Sequence, residues 1–283
     1  MKQLLAIMMA APIFFGSAHA TVLYGVDNDK NLISFDSADP ATTLSVVPIS
    51  GLTGGLEAID VRPLTNQLYG LTDDLQLVQI DHLTGVATTI SPGPLALSGN
   101  SFGFDFNPTI DRIRVVTDTG HNYVLNPHTG QIQLAATDLS YAVVDPNFGA
   151  IPGVTGSAYT PSSLGEPGTT TQLYGIDTLN DLLVKQANNS GILTTVGSIG
   201  VDLAESSFEI SFDGEAFALE DESLYKVDLA TGALTLLGLT DRTLSSLTAF
   251  AVPEPTGWAM MLVGFAVVGF SIRRRDNRSR QMV

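Results

Sequence analysis

The chain has 283 residues, a formal net charge of -16 and no cysteine, which excludes disulfides, thiolate metal sites and cysteine nucleophiles. Between positions 21 and 252 seven basic residues stand against 27 acidic ones; such a surface repels phosphate backbones and argues against nucleic-acid binding. With 44% apolar and 15% charged residues the chain can build a core, and 27 glycines among short apolar runs favour an all-β build.

Residues 1–20 read as a secretory signal peptide. Lys2 supplies the positive start, Leu4 to Phe15 the apolar run, and Ala18-His19-Ala20 a small-x-small ending, with cleavage expected after Ala20. An uncleaved anchor is the alternative, but the run is short for a span.

The segment 21–252 is built from repeats. Five copies of one strand motif begin at Leu23, Leu68, Ile113, Leu173 and Ala216, three of them reading Leu-Tyr-Gly. Their starts lie 45, 45, 60 and 43 residues apart, the period of a four-stranded propeller blade. The long interval carries an insertion, Pro161 to Gly168, of loop composition. After each motif come a polar turn, an alternating strand such as Leu75 to Ile80, a turn ending in glycine (Gly85, Gly130, Gly191, Gly232) and an outer strand. The run Leu179 to Ala187 has some helical character yet sits where a turn and third strand belong.

The strand before each motif is the inner one. Ala58 to Pro63 and Gly103 to Pro108 match position for position; Phe208 to Phe212 and Gly156 to Pro161 are further copies. The first unit lacks this strand, and the body ends with a spare one, Ser246 to Val252. Pairing the spare strand with the first unit would close a ring and remove exposed edges. The expectation is a five-bladed β-propeller; a β-sandwich or a solenoid is the alternative.

The last 31 residues have three parts. Pro253-Glu254-Pro255 is followed by an apolar run over 256–272 and a basic tail over 273–280 that opens with Arg273-Arg274-Arg275. Seventeen helical residues would reach about 25 Å, near the short limit for a single membrane-spanning helix, with the arginines as the cytoplasmic stop and the body outside. The ordered trio resembles the PEP-CTERM protein-sorting domain. That resemblance implies recognition of Pro253, Glu254 and Pro255 by exosortase, a membrane enzyme that processes such tails, in a Gram-negative bacterium that makes exopolysaccharide. A plain anchor that is never cut is the alternative. The body, with its Leu-Tyr-Gly and Thr-Gly strands, is similar to an exported family of domains of unknown function, which implies no activity.

No cluster names a reaction. Asp27 to Asn31 copies the opening of a calcium loop, but the sixth and twelfth positions are Leu32 and Ala38, so a hairpin turn is expected. His82, His121 and His128 lie in or beside turns without zinc spacing. Tyr24, Tyr69 and Tyr174 read as packing between blades, and Trp258 as an anchor at the membrane boundary. Glu57, Asp60, Asp105 and Glu209 lie on inner strands and could reach an axial channel, where carboxylates could hold calcium. These four are the only metal candidates, and no cofactor is expected. The expected function is that of an exported envelope or extracellular-matrix protein with a structural or binding role and no catalytic activity. The alternatives are a calcium-assisted hydrolase or lactonase-type propeller and a module that binds exopolysaccharide.

Overall fold

The structure is a computed structural model and describes residues 20–161 and 170–250. The chain divides into a unit ending at Ala249 and a second from Phe250 onward. Except for Phe250, that second unit lies outside the described residues. So do most of the leader, the Pro253-Glu254-Pro255 motif, Trp258, the apolar run and the arginines. Among the described residues no helix is long and apolar enough to cross a membrane.

The first unit is a five-bladed propeller. Blade 1 contains β1 (Val22–Asp27), β2 (Asn31–Asp36) and β3 (Asp39–Pro48); blade 2 contains β4 (Leu56–Arg62), β5 (Gln67–Thr72), β6 (Leu77–Ile80) and β7 (Ala87–Thr89). Blade 3 is β8 (Phe102–Asn107), β9 (Arg112–Thr117), β10 (Asn122–Asn126) and β11 (Gln131–Ala135). Blade 4 adds a short strand, β12 (Ser140–Tyr141), to β13 (Val154–Tyr159), β14 (Leu173–Asp177), β15 (Leu182–Ala187) and β16 (Ile192–Ser198). Blade 5 is β17 (Ser207–Ile210), β18 (Ala216–Glu220), β19 (Ser223–Val227) and β20 (Leu234–Leu239), after which β21 (Leu244–Ala249) returns to blade 1.

The spare terminal strand closes the ring as expected. β21 pairs antiparallel with β1, Leu23 opposite Ala249 and Gly25 opposite Leu247. The inner strands touch in the cyclic order β21, β4, β8, β13, β17 and back to β21. Closure removes the two edges that an open row of sheets would expose. Apolar layers fill the spaces between blades. Tyr69, Leu71 and Leu77 meet Phe104, Phe106 and Val115 between blades 2 and 3, and Phe35 and Leu23 meet Phe217 and Leu224 between blades 5 and 1.

The Leu-Tyr-Gly glycines serve close approach rather than a turn. A Cβ on Gly25 would lie 2.8 Å from Leu244 Cδ1, one on Gly70 2.7 Å from Leu56 Cδ2, and one on Gly175 2.8 Å from Val154 Cγ1. Each glycine faces the start of its inner strand, where the register slips by one residue, at Glu57, Thr155 or Ser245. Such bulges turn the strand and re-aim the extra side chain. The turns in which Thr or Ser precedes glycine do need positive φ: it is 73° at Gly85, 62° at Gly130, 66° at Gly191 and 88° at Gly232.

Two local readings hold and a third is extended. Leu179 to Ala187 is not helical: a turn leads into β15. Asp27 heads a hairpin turn, its Oδ1 accepting the backbone N–H of Asp29 at 3.0 Å and of Asn31 at 2.8 Å. The insertion in the blade-4 interval lies, except for Pro161, outside the described residues; the same interval also holds a loop that lays β12 parallel to β16. That loop is fastened where Tyr141 donates to the buried carboxylate of Asp177.

Candidate functional site

The five inner strands run in one direction around the axis, so residues at one register position form a ring. One such ring is Asp60, Asp105, Ala158, Glu209 and Thr248. Hydrogen bonding confirms the register. Asp60 Oδ2 accepts the N–H of Phe106 at 2.7 Å, Asp105 Oδ1 that of Tyr159 at 3.1 Å, and Glu209 that of Ala249. Each acid therefore latches onto the residue one step further along the neighbouring blade. Thr248 completes the circuit by donating its hydroxyl to Asp60 Oδ1 at 3.2 Å. Ala158 is the one gap.

Asp60, Asp105 and Glu209 are all buried and offer carboxylate oxygens within 4.8 Å of one another. Three like charges out of water cannot all ionise readily. Burial pushes Asp60 up to about 7 despite the N–H groups of Phe106 and Val61 and the Thr248 hydroxyl that favour its charged form. Asp105 and Glu209 are raised well above the usual carboxylate range, by burial first and then by their charged neighbours in the ring. Beside them lies a cavity of about 30 Å³, bordered also by Tyr159, Pro63 and Pro108. That is room for about one water or ion. The trio is the one group among the described residues that could hold a metal. A calcium ion takes six to eight oxygens, so it would need several beyond these three.

Glu57 departs from the expectation. It sits on the bulge at the start of β4, three residues before Asp60, and borders a separate cavity at the other end of the axis. At about 3.3 Å per residue it is roughly 10 Å from the trio along the strand. Glu209, by contrast, occupies the same register position as Asp60 and Asp105, which the divergent sequence around it conceals.

The cavity at the Glu57 end is wide, about 370 Å³, and all five inner strands contribute to it. Phe102, Phe104 and Phe208, whose side chains are buried in the layers between blades, border it, as do hydroxyl residues such as Thr155, Ser206 and Ser245. Sequence reasoning missed this mouth because its residues come from strand starts and loops that share no motif. The one available signal was the hydroxyl-rich stretch just before the inner strands, as in Glu205-Ser206-Ser207.

The histidines stay outside both ends. His121 Nδ1 lies 3.0 Å from Asp138, and His128 Nε2 lies 2.9 Å from Arg62. Arg62 is buried and forks onto Asp111 of the next blade, a latch at the rim. Tyr69 packs edge-on against Phe106 of the neighbouring blade, ring centroids 5.1 Å apart, as its packing role requires. Tyr174 is buried in the layer between blades 4 and 5 with Phe208 and Ala218, and also carries Lys185 of its own blade over its ring.

Comparison with known proteins accounts for both parts of the chain. No curated protein matches it. Residues 251–275 match the PEP-CTERM protein-sorting motif, so the protein is exported as a membrane-anchored precursor and handled by exosortase. Residues 31–251 match the model of a domain of unknown function, DUF4394, and the chain belongs to that family.

Proposed function

We propose that this protein is a non-enzymatic binding module of the cell envelope or extracellular matrix, taking its ligand at the wide mouth of the propeller. The observation that carries this reading is the 370 Å³ cavity at the axis, bordered by hydroxyl residues and carboxylates from all five inner strands and the loops beside them. That volume lies within the range of small-molecule sites, and a rigid closed ring presents such groups without a cost of reorganisation. The export and sorting of the chain supply the setting, in which matrix glycans and cations are available partners. The test is a binding screen of the exported protein against the host's own exopolysaccharide, defined oligosaccharides and divalent cations. Retention that is lost with Glu205→Gln, a substitution at an exposed residue bordering the cavity, supports the reading. No binding to any of them overturns it.

A second reading, a calcium-assisted hydrolase or lactonase, has one observation in its favour, the convergence of Asp60, Asp105 and Glu209. It requires that calcium raise the melting temperature and that Asp60→Asn with Asp105→Asn abolish the rise. If calcium and chelator leave the melting temperature unmoved, this reading fails.

A further inference from the structure

The two ends of the ring differ in surface chemistry. Each inner strand runs from the wide mouth towards the acid trio, so the turn that follows it lies at the trio end. The turns between second and third strands lie at the mouth. Those mouth-side turns hold Asp73, Asp74, Asp118, Asp181, Asp221 and Glu222, none of them in an ion pair among the described residues. Lys30, the one lysine or arginine in them, stands beside Asp29. The trio-side turns hold three described acids, Asp111, Asp213 and Glu215, and two of these are matched by Arg62 and Lys226. What these turns offer instead is apolar. Pro63, Pro108, Pro161 and Phe212 collar the small axial cavity, and in the same turns Leu64 and Ile110 are 58% and 54% exposed.

A second, independent feature is the place where the chain leaves the ring. β21 ends at Ala249 on the trio side, and six residues separate it from the apolar run that begins at position 256. A chain reaches at most about 3.6 Å per residue, so in the membrane-anchored precursor this side of the ring starts within roughly 25 Å of the bilayer.

Charge and apolar surface then act in the same sense. An anionic bilayer surface repels the acidic mouth and accepts an end whose charges are mostly paired. Apolar side chains at turn tips gain by entering the boundary between headgroups and acyl chains. The exposed apolar residues Leu179 and Ile151 belong to the other side. Leu179 shares its mouth-side turn with Asp181, and the Ile151 carbonyl accepts Asn180 Nδ2 of that turn at 2.9 Å.

We propose that the membrane-anchored precursor rests the trio end of its propeller on the lipid surface through Leu64 and Ile110, with the wide mouth turned outward. A ligand then reaches the mouth before the tail is cut. This goes beyond the reading of the mouth as a binding site and stands or falls separately from it. The chain has no cysteine, so Thr65→Cys on the trio side and Leu179→Cys on the mouth side, both exposed, each carry a single bimane label. The full chain is reconstituted in vesicles of phosphatidylethanolamine and phosphatidylglycerol, and quenching by lipid with a nitroxide headgroup is measured. The label at position 65 is quenched at least about threefold more than the label at 179. Equal quenching means a ring that tumbles freely on its tether and overturns the proposal. Stronger quenching at 179 overturns it in favour of the mouth side. A second arm separates contact from tethering. Leu64→Glu with Ile110→Glu, at exposed turn positions, cuts the excess at 65 by about half or more while circular dichroism stays that of the parent. An excess that survives both substitutions comes from the tether alone and overturns the contact.

Discussion

Replacing Asp60 by asparagine tests the electrostatics of the axial trio. In the unfolded chain an aspartate titrates near 3.9, whereas in the closed ring burial holds Asp60 at about 7. A carboxyl with a raised folded value binds its proton more tightly in the folded state. Stability from this group is therefore fully present below pH 4 and is lost as pH rises towards 7 and beyond. The shift from 3.8 to about 7 corresponds to roughly 4 kcal/mol at about 1.4 kcal/mol per pH unit. Asparagine cannot lose a proton and so escapes this loss. It has only one acceptor oxygen, however, and Asp60 uses both, Oδ1 for Val61 and Thr248 and Oδ2 for Phe106. The missing acceptor costs about 1–3 kcal/mol at every pH. At pH 4 the Asp60→Asn protein should be the less stable by about that amount. By pH 8 the gap should have moved by roughly 4 kcal/mol and changed sign. Urea unfolding followed by far-ultraviolet circular dichroism at pH 4, 5, 6, 7 and 8 measures the difference directly. Taking the difference between the two proteins cancels acids that shift the other way, such as Asp74, held low by the Thr72 and Thr53 hydroxyls. A gap that stays constant across this range, or that moves against the variant as pH rises, refutes the reasoning.

Three other outcomes are expected. Gly25→Val drives a side chain into Leu244 and the Ser246 carbonyl, at 2.8 and 2.9 Å for its Cβ alone, and should cost about 1–3 kcal/mol in urea unfolding. Asp111→Ala leaves the Arg62 guanidinium, 5% exposed, without its carboxylate, and should lower stability by about 3 kcal/mol, a loss that Asp111→Glu should partly restore. Glu254→Ala, which breaks the sorting motif, should leave the tail uncut, so that intact-mass measurement of the membrane fraction reaches Val283 while the parent protein ends near Pro255.

Much of the ring was legible because propeller blades repeat themselves. The Leu-Tyr-Gly motif marks the second strand of three blades, and its glycine is fixed by contact with the inner-strand bulge. The missing first inner strand and the spare last one could be matched by counting alone. Asp60 and Asp105 were legible as equivalent because Pro63 and Pro108 follow each at the same spacing. Glu209 is followed by Phe212 instead, so only backbone register shows that it completes the trio. Glu57 looked like a fourth member because it shares the strand with Asp60. The bulge and the rise per residue carry it to the opposite end. The wide mouth was illegible for a different reason: Glu57, Gly103 and Glu205 are far apart in sequence and acquire meaning only when three blades bring them together.

Every feature of the site depends on β21 clasping β1, and hydrogen exchange of the exported protein measures that clasp. Amides that pair across the two strands, in Leu244–Ala249 and Val22–Asp27, should exchange slowly and open together, with the protection of the neighbouring blades. Amides of Leu244–Ala249 that exchange at the rate of a free chain end, while β5, β9 and β14 stay protected, would contradict the closed ring and the site built at its axis.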